Sequence, residues 1–209
     1  MTPAETLIER IRPGSPLREN VKHLFGLSSR LAAERRKLES DQSLSAVGRR
    51  EKEVKFAKEL VRNLAELSRP LRRSREDAAA RRSNFKLPET DKTDAVSELR
   101  RQELRAFLRN LPLGARVAAL DTLGDDGVLA VLDAPPALSG IPADRHEFIR
   151  TRYLEEKFGP QLRALESVDE DNAALESAVT MVRRDLQIGS GLANAEFESL
   201  LRAHEVAPG

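Results

Sequence analysis

Leucine recurs at every seventh position from residue 17, at Leu17, Leu24, Leu31 and Leu38, with Val21 and Leu27 beside them and charged residues between. A strand has no use for that spacing, because its side chains alternate with a period of two. A helix does: residues seven apart fall along one narrow stripe, and a stripe kept in phase over several heptads is what a helix presents to a partner helix. The segment from Leu17 onward therefore predicts an amphipathic helix of about six turns.

A second helix follows after a short polar stretch. Leu44-Ser45-Ala46-Val47-Gly48-Arg49 places a capping serine, Ser45, just ahead of a long run with apolar residues in phase. One row of its seam is Val47, Val54 and Val61; another is Ala57, Leu64, Leu71 and Ala78, with Leu60 and Leu67 widening it. Two long helices joined by a short loop predict an antiparallel hairpin. Its seam, Leu17, Leu24, Leu31 and Leu38 against Val47, Val54, Val61, Leu64 and Leu71, serves either the hairpin itself or an oligomer. Pro70 lies within the second helix, where it removes a backbone donor and crowds the preceding turn, so a kink or restart is expected near Arg69.

The remainder of the chain is more punctuated. Pro3, Pro13, Gly14 and Pro16 mark residues 1–16 as a flexible or docking arm, with room for a short helical turn around Ala4 to Arg12 and extended chain after it. The stretch Lys86-Leu87-Pro88-Glu89-Thr90 reads as a linker. Beyond it come shorter helices: one capped by Thr93 or Asp94 and carrying Val96, Leu99, Leu104, Phe107, Leu108 and Leu111, and one opened by Pro112. A third, opened by Pro142 and ended by Gly159-Pro160, has Phe148, Ile149 and Tyr153 on its inner face; two more lie either side of Gly189-Ser190-Gly191. The apolar run 127–132 suits a buried strand or a buried helical turn, and with no second strand to pair it, helix is preferred. The expected fold is all-α: a long antiparallel helical hairpin of coiled-coil type, then a compact bundle of shorter helices. The expected domains are an arm at 1–16, a basic hairpin at 17–88 and an acidic helical domain at 89–209.

Composition agrees with helices. Charged residues make up 33% and aromatics only 4%, so the core must be built from Leu, Val and Ala, strong helix formers or tolerable ones. The absence of cysteine excludes disulfides, thiolate metal sites and a cysteine nucleophile. No stretch reaches the ~18 apolar residues of a membrane span, and the N-terminal residues lack the apolar core of a signal peptide. Residues up to 90 include 21 basic and 13 acidic side chains, and those beyond include 14 and 21, giving +8 and −7. That asymmetry implies either a basic region meeting a polyanion or two opposite regions that attract each other.

The familiar catalytic patterns fail at named residues. His146-Glu147 begins like a zinc-protease helix, but Arg150 stands where the second histidine ligand is needed. Asp169-Glu170-Asp171-Asn172 runs into Ala173 and Ala174 where a calcium loop needs ligands, and reads as a solvated helix face. Gly189-Ser190-Gly191 is a Gly-x-Gly with no preceding strand, and neither a phosphate-binding loop nor a nucleophile elbow occurs. No cofactor, metal or small-molecule substrate is expected. The best ligand surface is basic: Arg69, Arg72, Arg73, Arg75, Arg81 and Arg82 could neutralise phosphates, although Glu76 and Asp77 interrupt them and no aromatic is interleaved for stacking.

At Leu44-Ser45-Ala46-Val47-Gly48-Arg49, at Leu99-Arg100-Arg101-Gln102-Glu103-Leu104-Arg105 and at Ala134-Pro135-Pro136-Ala137-Leu138-Ser139-Gly140, the chain resembles uncharacterised helical structural and accessory proteins of tailed bacteriophages and prophages. The likeness spans residues 44–190 and is one of helix starts, faces and turns. It implies a virion-associated structural or assembly protein that oligomerises and contacts other virion proteins, located in the virion or the bacterial cytoplasm. It implies no catalytic residue. The alternatives from the residues themselves are a nucleic-acid-binding accessory factor using the basic helix 69–82, and a helical regulator of a host protein.

Overall fold

The computed structural model of the chain describes residues 2–91 and 93–205. Their regular structure is wholly helical: α1 (Pro3–Arg10), α2 (Leu17–Ser40), α3 (Ala46–Ser83), α4 (Ala95–Asn110), α5 (Leu113–Leu132), α6 (Pro136–Ser139), α7 (Ala143–Ser190) and α8 (Asn194–Glu205). None of these helices is long and apolar enough to cross a membrane. The chain divides into two compact units, Met1–Ala80 with Ala164–Gly209, and Arg81–Arg163. The expected boundary at 88/89 thus falls inside the second unit, and the last third of the acidic region belongs with the basic helices. Pro88 was a poor guide because the partners that complete a helical core are set by packing, not by the nearest linker.

In the first unit the leucine stripe is buried throughout: Leu17, Leu24, Leu31 and Leu38 all lie in the interior. Leu17, Leu24 and Leu31 share a buried cluster with Ala57, Leu60, Val61, Leu64, Ala65 and Leu71 of α3, but also with Ala174, Leu175, Ala178, Val182 and Leu186 of α7 and Phe197 and Leu201 of α8. Arg30 reaches Glu59 at 3.7 Å and Arg35 reaches Glu53 at 2.7 Å, so α2 and this part of α3 run antiparallel. The seam is therefore shared by a bundle rather than closed by two helices alone. Val54 is half-buried and Val47, 68% exposed, lies outside the seam altogether. Ser45 does cap α3, its Oγ accepting from Gly48 N at 3.1 Å, which puts Val47 in the first turn, beyond the reach of the core.

Neither a restart at Pro70 nor the helix end expected at Gly159-Pro160 is present. Helix α3 passes through Pro70 and α7 through Pro160 without interruption. Around Pro70, buried Leu64, Ala65 and Leu71 hold the helix on the core, and this packing outweighs the cost of about 3 kcal/mol of an internal proline. Residues 2–16 hold a short helix and are packed down rather than left as a flexible arm. Thr2 and Glu5 form a reciprocal capping box at the start of α1, and Leu7 and Ile11 are buried against the bundle.

The second unit packs α4, α5, α6 and the 143–163 part of α7 around Leu108, Leu120, Val131, Leu132, Ile141, Ile149 and Tyr153. The 127–132 run is helical, as preferred from its sequence, but it belongs to a helix bent at Gly124, whose φ of 62° and ψ of −154° are open only to glycine. Arg116 ties this unit together. Its guanidinium donates to the carbonyls of Leu111 (3.0 Å), Arg109 (3.1 Å) and Gly140, capping the ends of α4 and α6 with one cation.

The charge asymmetry of the sequence cancels within the units. The first contains 21 basic and 21 acidic residues and the second 14 and 13. Basic side chains from early in the chain meet acids from late in it: Arg12 with Asp171 at 2.9 Å, Lys58 with Glu196 at 3.0 Å and Arg75 with Glu176 at 2.5 Å.

Candidate interaction surfaces

The six arginines of the basic segment do not converge. At about 100° per residue they wrap the helix instead of lining one face. Arg69, half-buried, donates to the His204 carbonyl at 3.1 Å; Arg72 lies 3.8 Å from Glu76; and Arg75 is held by Glu176. Arg73, Arg81 and Arg82 are exposed, and Arg81 and Arg82 belong to the second unit while the other four belong to the first. Arg69, Arg72 and Arg75, with Arg183, Glu76 and Glu176, line a shallow groove of about 460 Å³ in which cations and carboxylates alternate.

The acidic cluster is a solvated face only in its first half: Asp169 and Glu170 are exposed, whereas Asp171 and Asn172 are buried. Asp171 accepts from the backbone N of Arg12 (3.0 Å) and from its Nε (3.0 Å) and Nη2 (2.9 Å), so one carboxylate fixes the end of the α1 segment to α7. Neither polar atom of the Asn172 amide has a hydrogen-bond partner among the described residues. These residues escaped the sequence because a helix of this length offers no sign of which acidic side faces inward until a second helix is laid on it. Among the described residues, no His, Asp and Glu cluster is arranged to hold a metal ion.

A groove of about 340 Å³ opens in the second unit beside the Gly124 bend. Val117, Leu120, Val128, Ile149 and Tyr153 give it apolar walls; Phe148, expected to face inward, stands 55% exposed at its lip. Its rim is ion-paired: Arg152 with Asp121 and Lys157 with Asp125, each at 2.6 Å. These contacts raise the pKa of both cations, by hydrogen bonding to the acid in each case, and burial raises that of the Tyr153 phenol. Arg152, Lys157 and Tyr153 all stay protonated at neutral pH, which suits recognition rather than proton transfer.

The most unusual arrangement is on α4. Asp94 caps it, accepting from Ser97 N at 3.0 Å, and Leu108 anchors it in the core. Yet the neighbour of Leu108 on the buried face is Arg105, only 6% exposed, which donates to the Ala130 carbonyl at 3.0 Å and to Glu98 Oε1 at 2.6 Å. Val96, Leu99 and Phe107, carried by the same helix as Leu104, Leu108 and Leu111, are 78%, 60% and 49% exposed. Apolar side chains fall on two rows of this helix, roughly 100° apart and each interrupted by charged residues, and only one row is covered. The signal was legible in principle: Val96, Arg100, Glu103 and Phe107 fall in one row and Ser97, Arg101, Leu104, Arg105, Leu108 and Leu111 in another. What the sequence lacked was any indication of which row faces the core.

Compared with known proteins, the chain matches no protein-family model, no curated protein and no solved structure.

Proposed function

We propose that this chain is a structural or assembly protein that acts through protein–protein contacts, as the resemblance to helical proteins of tailed phages implies. The observation that supports this reading is α4, which spends its interior face partly on an arginine and turns Val96, Leu99 and Phe107 to solvent. A free-standing enzyme or carrier gains nothing from that inversion, since exposed aliphatic and aromatic side chains lower solubility and contribute no stability, whereas a protein that completes its packing on a partner gains by it. The balanced charge of each unit points the same way. Polyanion binding draws on unneutralised cations, and here Arg75 is already ion-paired and Arg69 capped.

The test is association with a purified capsid or tail component, measured for the parent chain and for Phe107→Asp. Retention of the parent and loss of the variant, with helicity unchanged by circular dichroism, is the expected result; equal retention of both, or of neither, overturns the reading. Retention on DNA that falls steeply with salt and disappears when the basic-segment arginines are replaced by Gln would establish the nucleic-acid role in its place.

A further inference from the structure

We infer that the exposed row of α4 pairs antiparallel with the same row of a second copy of this chain, an inference that rests on the assembly role proposed above and names one partner for it. The row holds Val96, Arg100, Glu103 and Phe107, with Leu99 on one flank and the half-buried Leu104 on the other. Its two ends are apolar and its middle carries one cation and one anion, and that order decides the geometry.

A twofold axis crossing α4 between Arg101 and Gln102 lays Val96 against Phe107 of the second copy, Phe107 against its Val96, Arg100 against its Glu103 and Glu103 against its Arg100. Apolar layers close both ends, and two crossed ion pairs lie between them. In a parallel pairing Arg100 meets Arg100 and Glu103 meets Glu103, like charge on like, which is disfavoured. Glu103 has no ion-pair partner among the described residues, so it is available. Arg100 lies 2.9 Å from Asp126, and both are well exposed. A guanidinium carries five donors in a planar fork, so Arg100 can bridge Asp126 of its own chain and Glu103 of the other. The row spans about 16 Å of helix, so the contact falls well below the ~1,200 Å² of a durable interface and makes a weak, concentration-dependent dimer.

The charge pattern supplies its own test by sedimentation velocity of the full chain over a concentration series. Arg100→Glu leaves two acids in the row and Glu103→Arg leaves two bases, so each variant alone is expected to self-associate at least about tenfold more weakly than the parent. An equimolar mixture of the two, and the double variant carrying both changes, restore every pair and are expected to regain the parent's association. Both substitutions are at exposed positions, and circular dichroism checks that folding is kept. A parent dimer indifferent to the single reversals, or a mixture that stays monomeric while the parent dimerises, overturns the inference. A parent that is monomeric throughout also overturns it, and hydrogen exchange then separates the two readings. Protection of residues 96–110 on adding a purified capsid or tail component leaves the assembly role standing; no protection in either sample removes both.

Discussion

The two units of this chain bury their helices by opposite rules. In the first, leucines of the α2 stripe share a buried cluster with residues of α1, α3, α7 and α8, and the polar side chains drawn inside include the Asp171 carboxylate, which is satisfied by Arg12, and the Asn172 amide, which has no hydrogen-bond partner among the described residues. In the second, α4 places Arg105 inside and leaves Val96, Leu99 and Phe107 outside. Both helices are amphipathic by sequence. The difference lies in what covers them: α2 is surrounded by the helices of its bundle, while α4 carries apolar side chains on two rows and packs on α5 and α6 with one of them. An apolar arc wider than its neighbours can cover is the physical origin of a docking face.

That contrast can be broken most directly by truncating one side chain from each kind of surface. Leu64→Ala, at a fully buried position of the first unit, is expected to lower unfolding stability by about 3 kcal/mol in a denaturant titration. Phe107→Ala is expected to change it by less than about 0.5 kcal/mol while weakening association. Equal losses would mean that the α4 face belongs to the folding core after all.

The buried ions come next. Arg12→Ala leaves Asp171 charged in the interior of the first unit and is expected to cost about 3 kcal/mol, with α1 the first segment to lose hydrogen-exchange protection. Arg105→Ala leaves the Ala130 carbonyl without its donor and is expected to cost about 2 kcal/mol in the second unit. A change of under half that would show that the arginine is tolerated inside rather than needed there.

Asn172 tests the opposite sign. With no protein partner for its amide, Asn172→Leu is expected to raise stability by about 1 kcal/mol; a loss would mean that the amide contributes to choosing this packing over another. The smallest effect is on pH. Arg105, chiefly by hydrogen bonding, holds the Glu98 carboxyl below its usual 4.5, with Gln102 and Arg101 assisting. A depressed carboxyl contributes its stabilisation in full above pH 4.5 and loses it as pH falls through the lowered value. Acid titration of Arg105→Met should show that increment missing above pH 4.5 and a shallower loss of stability as pH falls below it, and an unchanged acid profile would assign the acid sensitivity to other carboxylates.

The sequence by itself determined that the chain is helical, where most helices begin, and that residues 17–38 carry a buried stripe, because helix propensity, capping serines and aspartates and heptad spacing are local properties. It read a kink or restart at Pro70 and a stop at Gly159-Pro160 in helices that continue through both, since a proline's cost is fixed locally but the packing that offsets it is not. It showed that the charges of the two ends are opposite without showing that Arg12 closes on Asp171 or Arg75 on Glu176, contacts between residues more than a hundred positions apart. The tertiary structure alone decided which of two apolar rows on α4 would meet the core. Burial is a competition among all faces for a limited number of neighbours, and its outcome is set only when the helices are brought together.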